Sequence, residues 1–262
     1  MKIVTWNINS VRLRAPIVLD VMKKWSPDIV CLQETKTPDE FFPFDTFREA
    51  GYEHIHAHGM KGYNGVAIIS KHPFSDHLVH HRCGREDCRH VAASFKDFDL
   101  HNLYIPAGGD EPDPVINDKF KHKLDFLEEM TGFFKAECDP KKPAIVLGDF
   151  NIAPYENDVW SHKQLLKVVS HTPPETERLS DMLDSLDWVD TARHFIDMEE
   201  KAYTWWSYRN RDWRKSNRGR RLDHIWVTQP LKPKLKSYKT LEEARDWEKP
   251  SDHIPVMIEL DI

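Results

Sequence analysis

Short runs of consecutive apolar residues alternate along the chain with segments whose apolar residues recur at helical spacing. The runs predict strands and the spaced segments predict helices, because strand side chains alternate in direction whereas helical ones repeat about every 3.6 residues. The predicted strands comprise residues 3–6, 29–32, two strands between 54 and 70, 91–95, 100–104, 144–147, 222–227 and 256–260. The predicted helices comprise residues 16–24, 39–50, 119–137 and 176–186.

The order of these elements predicts an α/β fold with mixed sheets. Residues 3–32 follow the order strand, helix, strand, which is typical of a helical crossover. Strands 91–95 and 100–104 are joined by a connection of hairpin length, so antiparallel pairs are also expected. We therefore expect one mixed sheet, or two packed face to face. The chain has 262 residues, 40% of them hydrophobic, and no linker-like segment, which predicts a single domain over residues 1–262.

The overall charge and the cysteine content narrow the classes of partner and compartment. A formal net charge of -6 gives no general attraction to nucleic acid or anionic lipid, so a polyanion must be bound by a local patch. The chain has 4 cysteines and shows no signal-peptide pattern, which favours reduced thiols in a cytoplasm. No apolar run approaches the length of a membrane span, so we expect no membrane association.

A carboxylate and a carboxamide come after the apolar run 144–147. Gly148 permits a sharp turn there, and Asp149 and Asn151 stand two positions apart. If the backbone stays extended, both side chains point the same way, beyond the edge of the sheet. An anionic acceptor beside a neutral amide suits a hard cation or an activated water next to a phosphate. The alternative is an acidic turn after a core strand.

Polar residues at other strand ends repeat this design and predict a metal site. Together with Asp149 and Asn151, the set comprises Asn7, Glu34, Asp223, Asp252 and His253. Four carboxylates at one sheet edge would raise one another's pKa values unless a divalent cation or a shared proton compensated them. All-oxygen ligands favour Mg²⁺ or Mn²⁺ over Zn²⁺. The sequence also predicts an imidazole, His253, oriented by the carboxylate of Asp223, although an isolated histidine is more often incidental.

The segment 205–221 is a local exception to the acidic character of the chain. It contains seven basic residues, one acidic residue and four aromatic residues. This composition is typical of a loop that grips a phosphate backbone and stacks on or wedges beside bases. In the alternative interpretation, Trp206 and Tyr208 belong to the core and the arginines form a solvated face.

A second cluster suggests zinc only superficially. His80, His81, Cys83, Cys88 and His90 lie close together in the sequence. The Cys-x4-Cys spacing is wider than that of the usual zinc knuckle, and we expect a surface loop before a strand here. We therefore do not predict a structural zinc site. His171, in a loop before the last predicted helix, is expected either to contact DNA or to face solvent.

Six short motifs succeed one another along the chain: TWNIN (5–9), LQETK (32–36), YNGVA (63–67), GDFNIAP (148–154), RLDH (221–224) and PSDHIPV (250–256). In this order they resemble the motifs of the exonuclease III family of apurinic/apyrimidinic (AP) endonucleases. The resemblance extends from Lys2 to the C-terminus. It implies a four-layer α/β sandwich, in which two mixed β-sheets pack face to face and are flanked by helices, and it implies Mg²⁺-dependent cleavage of phosphodiesters.

The resemblance also implies roles for the matching residues. Glu34 would be the principal metal ligand, and Asp252, Asn9 and Asp149 are the further candidates, although some relatives have an aspartate in place of Asn9. Asp149 would position or deprotonate the attacking water, Asn7 and Asn151 would hold that water and the phosphate, and Tyr104 would hydrogen-bond the scissile phosphate. His253, oriented by Asp223, would donate to a phosphate oxygen. Trp205 and Leu222 would line a pocket for a flipped baseless sugar, and the DNA contacts would come from Arg209, Arg211, Arg214 and Arg220, the last of which is an aromatic residue in some relatives.

The function implied is a DNA repair nuclease that uses Mg²⁺ or Mn²⁺, incises double-stranded DNA 5′ to abasic sites and removes 3′ blocking groups, with or without 3′-to-5′ exonuclease activity. Two alternatives stay open at this point. One is a phosphatase of phosphoinositides or other small phosphoesters, for which the sequence offers no membrane-binding stretch. The other is a non-catalytic DNA-binding module, which gains nothing by presenting carboxylates to phosphate. We expect a monomer without an obligate protein partner, whereas the number of metal ions is left open.

Overall fold

Two six-stranded mixed sheets form the centre of the molecule. The structure, a computed structural model, describes residues 1–210 and 212–262. Along the first sheet the strand order is β13-β14-β1-β2-β4-β3, along the second it is β5-β6-β7-β8-β12-β9, and β10 and β11 form a separate ribbon. The strands are β1 (Lys2–Asn7), β2 (Ile29–Gln33), β3 (His54–His58), β4 (Val66–Ser70), β5 (Asp76–Val79), β6 (His90–Ser94), β7 (Asp99–Tyr104), β8 (Ala144–Asp149), β9 (Val189–Asp190), β10 (Trp205–Trp206), β11 (Gly219–Arg220), β12 (Asp223–Val227), β13 (Leu235–Thr240) and β14 (Val256–Leu260).

Helices cover the outer faces of both sheets. The α-helices are α1 (Val11–Trp25), α2 (Phe44–Glu49), α3 (Asp118–Glu137), α4 (His162–Leu165), α5 (Pro173–Asp184), α6 (Thr191–Phe195) and α7 (Trp213–Ser216). Short 3-10 turns occupy Asp39–Phe41, Glu156–Asp158, Gln229–Lys234 and Glu242–Asp246. The expected order of helix, sheet, sheet and helix is confirmed.

The alternation of side chains along each strand builds three apolar layers. In β1, Ile3 packs into the core between the two sheets, whereas Val4 and Trp6 pack outward beneath α1. In β8, Ile145 packs between the sheets, whereas Val146 packs outward beneath α3 and α5. Strands with apolar residues on both faces are typical of sheets buried on both sides, which explains their unbroken apolar runs.

Strand direction gathers the polar strand ends at one edge of the sandwich. Strand β1 is parallel to β2, and β7 is parallel to β8, so these four strands end at the same edge. Strands β12 and β14 run antiparallel to β8 and β1, so they begin there. The pairing sets Tyr104 opposite Asp149, and Asp149 opposite Asp223, in one row across three strands.

The structure differs from the predicted elements at several helices: α5 begins at Pro173 rather than at residue 176, and the short helices α4, α6 and α7 were not predicted. The first helix begins at Val11 rather than at residue 16, so Pro16 lies inside it and has no N–H to offer the Arg12 carbonyl. The predicted helix 39–50 is divided at Phe42 and Pro43 into a 3-10 turn and α2. Strands β5, β9, β10, β11 and β13 were not predicted, because they are short or lie on edges and lack an apolar run.

A buried ionic cluster fixes the start of β12, which carries Asp223. Arg221 donates from Nε and Nη2 to the two carboxylate oxygens of Asp158, each at 2.8 Å. Both side chains are completely buried. Arg221 also contacts Asp190, and Arg193 contacts Asp158. The pKa of Asp158 is lowered, because the two arginines outweigh the opposing effect of burial.

Removing Asp158 should strongly destabilise the fold. Asp158→Ala leaves the buried Arg193 without its carboxylate and Arg221 with Asp190 alone, so we expect the free energy of unfolding in urea to fall by about 3–5 kcal/mol. Glu128→Ala, which breaks the largely exposed Arg178–Glu128 pair, is the control and should change it by no more than about 1 kcal/mol. Equal losses in the two variants would contradict this assignment.

Candidate active site

One carboxamide joins the two sheets at their shared polar edge. Asn7, completely buried at the end of β1, donates from Nδ2 to Oε1 of Glu34 at 3.0 Å and to Oδ2 of Asp149 at 2.8 Å. Glu34 comes directly after β2 of the first sheet, whereas Asp149 ends β8 of the second. The predicted convergence of these three residues is therefore present, and it spans the gap between the sheets.

The Glu34 carboxylate is held by donors on every side. Tyr104 donates its hydroxyl to Oε1 at 2.7 Å, and the Lys36 ammonium lies 2.7 Å from Oε2. Although burial alone would raise it, the pKa of Glu34 is lowered by Lys36 and by the hydrogen bonds from Asn7 and Tyr104. Glu34 is thus ionised at neutral pH and available as an anionic ligand.

His253 is oriented by Asp223, as the sequence predicts. Its Nδ1 lies 2.8 Å from Oδ2 of Asp223, and its Nε2 lies 3.7 Å from Oδ2 of Asp149. Burial opposes the charged form, but the carboxylates of Asp223 and Asp149 outweigh it and raise the pKa of His253 to about 10. The imidazole is therefore a cation that points its second nitrogen toward Asp149.

Asp149 is a site carboxyl group with a raised pKa. Burial raises its pKa to about 7, Asp223 and Glu34 add to the rise, and His253 and Asn7 oppose it. In the described part of the chain, the cations in contact with the four site carboxylates are Lys36 and His253. Two negative charges are therefore left over, which matches the charge of a divalent cation.

The backbone at the site departs from the extended form assumed for the sequence. Asn9, Glu34 and Asn151 have φ values of 49°, 51° and 55°, in the left-handed region that non-glycine residues occupy rarely. Asn151 N–H donates to Oδ1 of Asp149 at 2.9 Å and its side-chain amide donates to Oδ2 at 3.2 Å. The prediction of two side chains projecting in parallel is thus wrong, because the chain turns back on Asp149.

Gly148 is required for a close approach just before this turn. Its φ is 139°, and a Cβ added there would lie 1.9 Å from the Leu103 carbonyl oxygen of the neighbouring strand β7. No side chain fits at that distance. Gly148 therefore allows β7 and β8 to deliver Tyr104 and Asp149 side by side.

The oxygen atoms of Glu34 and Asn9 converge on a single cationic group. Lys36 Nζ lies 2.7 Å from Oε2 of Glu34 and 2.6 Å from Oδ1 of Asn9. Asp252 lies next to them, because its Oδ1 accepts from Nδ2 of Asn9 at 3.1 Å. A second group, comprising Asp149, Asp223 and His253, has ligand atoms within 4.8 Å of one another. The carboxylate and amide oxygens present fit a hard divalent cation.

An open pocket of about 570 Å³ adjoins these residues. Trp205 and Leu222 line it, as the resemblance implies, together with Glu34, Asn151 and His253. Arg220 lies over the Trp205 ring at 5.3 Å, where it donates to the Val169 carbonyl at 3.0 Å and the Ser170 hydroxyl at 2.7 Å. A half-buried guanidinium therefore forms part of the pocket wall.

The basic segment 205–221 divides into surface and core. Arg209 and Arg218 are exposed and line the pocket. Arg214 is exposed but is bound to Asp246 at 2.6 Å, and Arg221 belongs to the buried ionic cluster. Arg211 lies outside the described residues.

The aromatic residues of this segment also divide. Trp206 and Trp213 are buried and pack on Ile254, so the alternative interpretation of the sequence holds for Trp206. Tyr208 is 44% exposed and donates its hydroxyl to the Pro250 carbonyl at 2.7 Å, so it is not a core residue. Trp205 is the aromatic residue of the segment that faces the pocket.

His171 does not face solvent. It is 2% exposed, its Nδ1 contacts the Ala153 carbonyl at 2.5 Å, and its Nε2 lies 2.8 Å from Nδ1 of His162. The solvent-facing alternative is wrong, because the loop is folded beneath the turn after Asp149, whereas a contact with DNA stays a prediction. A polar residue in a predicted loop gave no signal of this burial.

The His80–His90 segment forms a histidine cluster that also includes His101 of β7. The nitrogens of His80, His90 and His101 lie within 4.8 Å of one another. Arg82 donates from Nε to Nδ1 of His90 at 3.2 Å, so the proton of His90 is on Nε2, which faces Nδ1 of His101 at 3.0 Å. The facing nitrogens are occupied by this hydrogen bond, which favours a polar network over a zinc site.

The other members of that segment point away from the cluster. The His81 ring contacts the His58 ring at 5.8 Å. Cys83 packs against the apolar layer beneath α3, and the carbonyl of Cys88 accepts from the Gly65 N–H at 3.0 Å. Proximity in sequence was misleading here, because the pairing of β6 with β7 brings in His101 from outside the segment.

The histidine cluster should make the fold sensitive to acid. Burial lowers the pKa of His101 to about 3 and that of His80 to about 4. Below an unfolded-state pKa of about 6.5 the unfolded chain binds protons that the native chain does not, so stability should decrease as pH falls from there toward the folded-state values. In urea titrations, His101→Gln should show a shallower decline over this range than the wild type. The exposed His77→Gln is the control and should retain the full slope; a parallel decline in all three proteins would contradict the prediction.

Several residues that hold the site were not predicted. Thr204 donates its hydroxyl to Oδ2 of Asp223 at 2.6 Å and accepts from the Asp223 N–H at 3.1 Å. His224 stacks on Phe150 and contacts the Ile152 carbonyl at 2.8 Å, beneath the turn after Asp149. Lys36 and His224 lie inside the motifs, which was a usable signal, whereas nothing in the sequence pointed to Thr204.

Comparisons with known proteins agree with this geometry. Residues 4–253 match the endonuclease/exonuclease/phosphatase family. Exodeoxyribonuclease III of Haemophilus influenzae is 29% identical over 99% of both chains. Among solved structures, an AP endonuclease from Archaeoglobus fulgidus superposes with a TM-score of 0.93 at 33% identity, and a 3′ phosphatase from Neisseria bound to a DNA hairpin product superposes with a TM-score of 0.92 at 32% identity, each over 100% of both chains.

The chain therefore belongs to the endonuclease/exonuclease/phosphatase family. Its relatives also confirm the resemblance to AP endonucleases of the exonuclease III type. The metal dependence of the family agrees with the acidic and imidazole cluster described above.

Proposed function

We propose that this protein is a metal-dependent DNA repair nuclease that hydrolyses phosphodiesters 5′ to abasic sites in duplex DNA and removes 3′ blocking groups. The observation that carries the proposal is the position of Asn7, which bridges Asp149 and Glu34, because Glu34 lines the same pocket as Trp205 and Leu222. Chemistry suited to phosphate thus adjoins an aromatic and apolar recess that suits a sugar without its base. Relatives named for AP endonuclease and 3′ phosphatase activity support both reactions.

Asp149 is the group that accepts a proton from the attacking water. A carboxylate whose pKa is raised to about 7 is basic enough to take a proton near neutral pH. Asn151 and Asn7 donate hydrogen bonds to Asp149, so they fix the orientation of its carboxylate. The amides also offer donors and acceptors to the water and the phosphate.

His253 and Tyr104 act on the phosphate. His253 is a cation held by Asp223, and a donor beside the reacting phosphate stabilises the negative charge that develops in the transition state. The pKa of Tyr104 is raised well above its ordinary value by burial and by Glu34, so its hydroxyl stays protonated and able to donate.

The cation would be held by Glu34, with Asn9, Asp252 and Asp149 as the further oxygen donors. We propose Mg²⁺ or Mn²⁺, because the donors are carboxylate and amide oxygens. When bound, such an ion supplies Lewis-acid polarisation of the phosphoryl oxygen. Lys36 bridges Glu34 and Asn9, two of the residues that would hold the ion.

A duplex oligonucleotide with one tetrahydrofuran abasic analogue tests the proposal. We expect incision 5′ to the analogue with Mg²⁺, and none in EDTA. Asp149→Asn and Glu34→Gln should each lower turnover by at least about 10³, since each removes a group that acts in the transition state. Asp97→Asn, an exposed acid in the β6–β7 hairpin at the opposite end of the sheet, is the matched control and should retain wild-type turnover.

Two substrates added to the same assay separate the alternatives. A nicked duplex with a 3′ phosphate measures the trimming of blocked ends, and a soluble inositol phosphate measures small-phosphoester phosphatase activity. Hydrolysis of the inositol phosphate with intact abasic DNA would overturn the proposal in favour of a phosphatase. Binding of the duplex without hydrolysis of any substrate would favour the DNA-binding module.

Arg209 and Arg218 are the exposed guanidinium groups at the pocket and should contact the phosphate backbone, to which Arg211, Arg214 and Arg220 are also assigned. Arg209→Gln and Arg218→Gln should each reduce the slope of log Kd against log salt by about one, since each variant removes one cation from a phosphate. Arg214→Gln should have a smaller effect, because Asp246 already neutralises that group. Lys96→Gln, at the far end of the sheet, is the control; slopes unchanged from wild type in both pocket variants would exclude these phosphate contacts.

The structure places no further limit on partners or compartment. No helix within the described residues is long and apolar enough to cross a membrane. The monomeric state, the absence of an obligate protein partner and the cytoplasmic location stay predictions of the sequence.

A further inference from the structure

A completely buried ion pair lies beneath the loops that form the site. Lys123, on the inner face of α3, places Nζ 2.5 Å from Oε1 of Glu175 in the first turn of α5, and neither side chain is exposed. No residue assigned to the proposed chemistry is part of the pair. Buried ion pairs are weak contributors to stability, because the loss of hydration offsets much of their attraction. Stability alone therefore gives little reason for its presence.

Lys123 reaches the turn that carries Asn151. Its Nζ donates to the Asn151 carbonyl at 2.8 Å and to the Ala107 carbonyl at 3.3 Å, so the three donors of the ammonium are all used. Asn151 has a φ of 55°, a conformation that persists only where the surroundings hold it. The ammonium thus fixes the carbonyl of the residue whose side chain contacts Asp149, and it ties that residue to the loop after Tyr104.

Glu175 reaches the wall of the pocket. Its two oxygens accept from the Ser170 N–H at 2.9 and 3.0 Å, and Oε2 also accepts from the Thr172 N–H at 3.1 Å and the Thr172 hydroxyl at 2.6 Å. Ser170 has a φ of 89°, and its hydroxyl accepts from Arg220 at 2.7 Å. The carboxylate therefore holds the residue on which the Arg220 guanidinium rests.

We propose that Lys123 and Glu175 are positioning residues that set the distance between the chemistry at Asn151 and the pocket wall at Ser170 and Arg220. The proposal rests on the function proposed above. An apolar pair of the same volume would fill the space between α3 and α5. It would have no hydrogen-bonding groups with which to hold Asn151 and Ser170, the two residues in the left-handed conformation. The ammonium of Lys123 and the carboxylate of Glu175 each make several hydrogen bonds, so together they hold the loop at Asn151 and the loop at Ser170.

The test replaces both members together, so that no single charge is left buried. Lys123→Met/Glu175→Gln removes the charges and the donor to Asn151 at nearly constant volume. We expect kcat on the abasic duplex to fall about tenfold to a hundredfold, since misplacement of a reacting group by about 1 Å has effects of that size. A purely structural role would lower only the fraction of molecules that are folded. Active-site titration is therefore used to express kcat per folded molecule, and the loss of kcat should remain after this correction. KM and kcat are measured separately, and kcat should carry most of the loss.

A conservative pair and a surface pair complete the set. Lys123→Gln/Glu175→Gln restores an uncharged donor beneath Asn151 and should recover part of the lost kcat; it also replaces the first variant if that variant does not fold. Lys121→Met/Asp125→Asn removes an exposed ion pair of 2.6 Å from the same helix and should leave kcat unchanged. Wild-type kcat in the folded Met/Gln variant, or in the Gln/Gln variant if only that one folds, would overturn the proposal.

Hydrogen exchange gives a readout that does not depend on activity. The Ser170 and Thr172 amides donate to Glu175, so they should exchange faster in the Lys123→Met/Glu175→Gln variant than in the wild type and the Lys121→Met/Asp125→Asn control. Unchanged exchange at both amides would also overturn the positioning role. If the wild type does not cleave abasic DNA, the proposed function fails, while the exchange measurement still decides whether the pair holds the loops.

Discussion

Uncompensated negative charge at the shared edge of two sheets is the constraint on which the site depends. Glu34 belongs to one sheet, whereas Asp149 and Asp223 belong to the other. The side-chain amide of Asn7 nevertheless donates hydrogen bonds to both Glu34 and Asp149. Carboxylates buried this closely destabilise one another unless cations and donors accompany them. Lys36, His253 and a divalent ion together would satisfy that requirement, and burial together with Asp223 and Glu34 raises the pKa of Asp149.

The relative placement of the two sheets is therefore part of the active site. Beneath the site, Gln33 donates to the Thr5 hydroxyl within its own sheet and, at 2.7 Å, to Oδ1 of Asn102 in the other sheet. Asn102 donates in return to the carbonyls of Leu32 and Ala67. Apolar packing alone has little directional preference, whereas these buried amides specify one registration of the sheets. A site whose halves lie on different sheets needs that registration.

Strand direction and side-chain chemistry could be predicted from the sequence, whereas tertiary contacts could not. The apolar runs located the central strands, and the polar residues at their ends identified Asn7, Glu34, Asp149, Asp223 and His253 as neighbours. The burial of Arg221 and His171 was not predictable, because an arginine in a basic segment and a histidine in a loop carry no sign of the acids or carbonyls that receive them. The extended backbone assumed at Asn151 was wrong because an Asx-type hydrogen bond to Asp149 reverses the chain. The helix boundary at Val11 was missed because Pro16 is normally a first-turn residue.

The left-handed residues at the site set a limit on how this enzyme could be made more robust. Glycine relaxes such backbones, and at the exposed helix end Ser26, which has a φ of 47°, that exchange carries no chemical penalty. At Asn9, Glu34 and Asn151 the same exchange deletes an oxygen or an amide to which we assign a role in the proposed reaction. A glycine that relaxes the backbone at any of these three positions would therefore remove its side chain from the proposed site, so stabilising substitutions of this kind have to be made elsewhere.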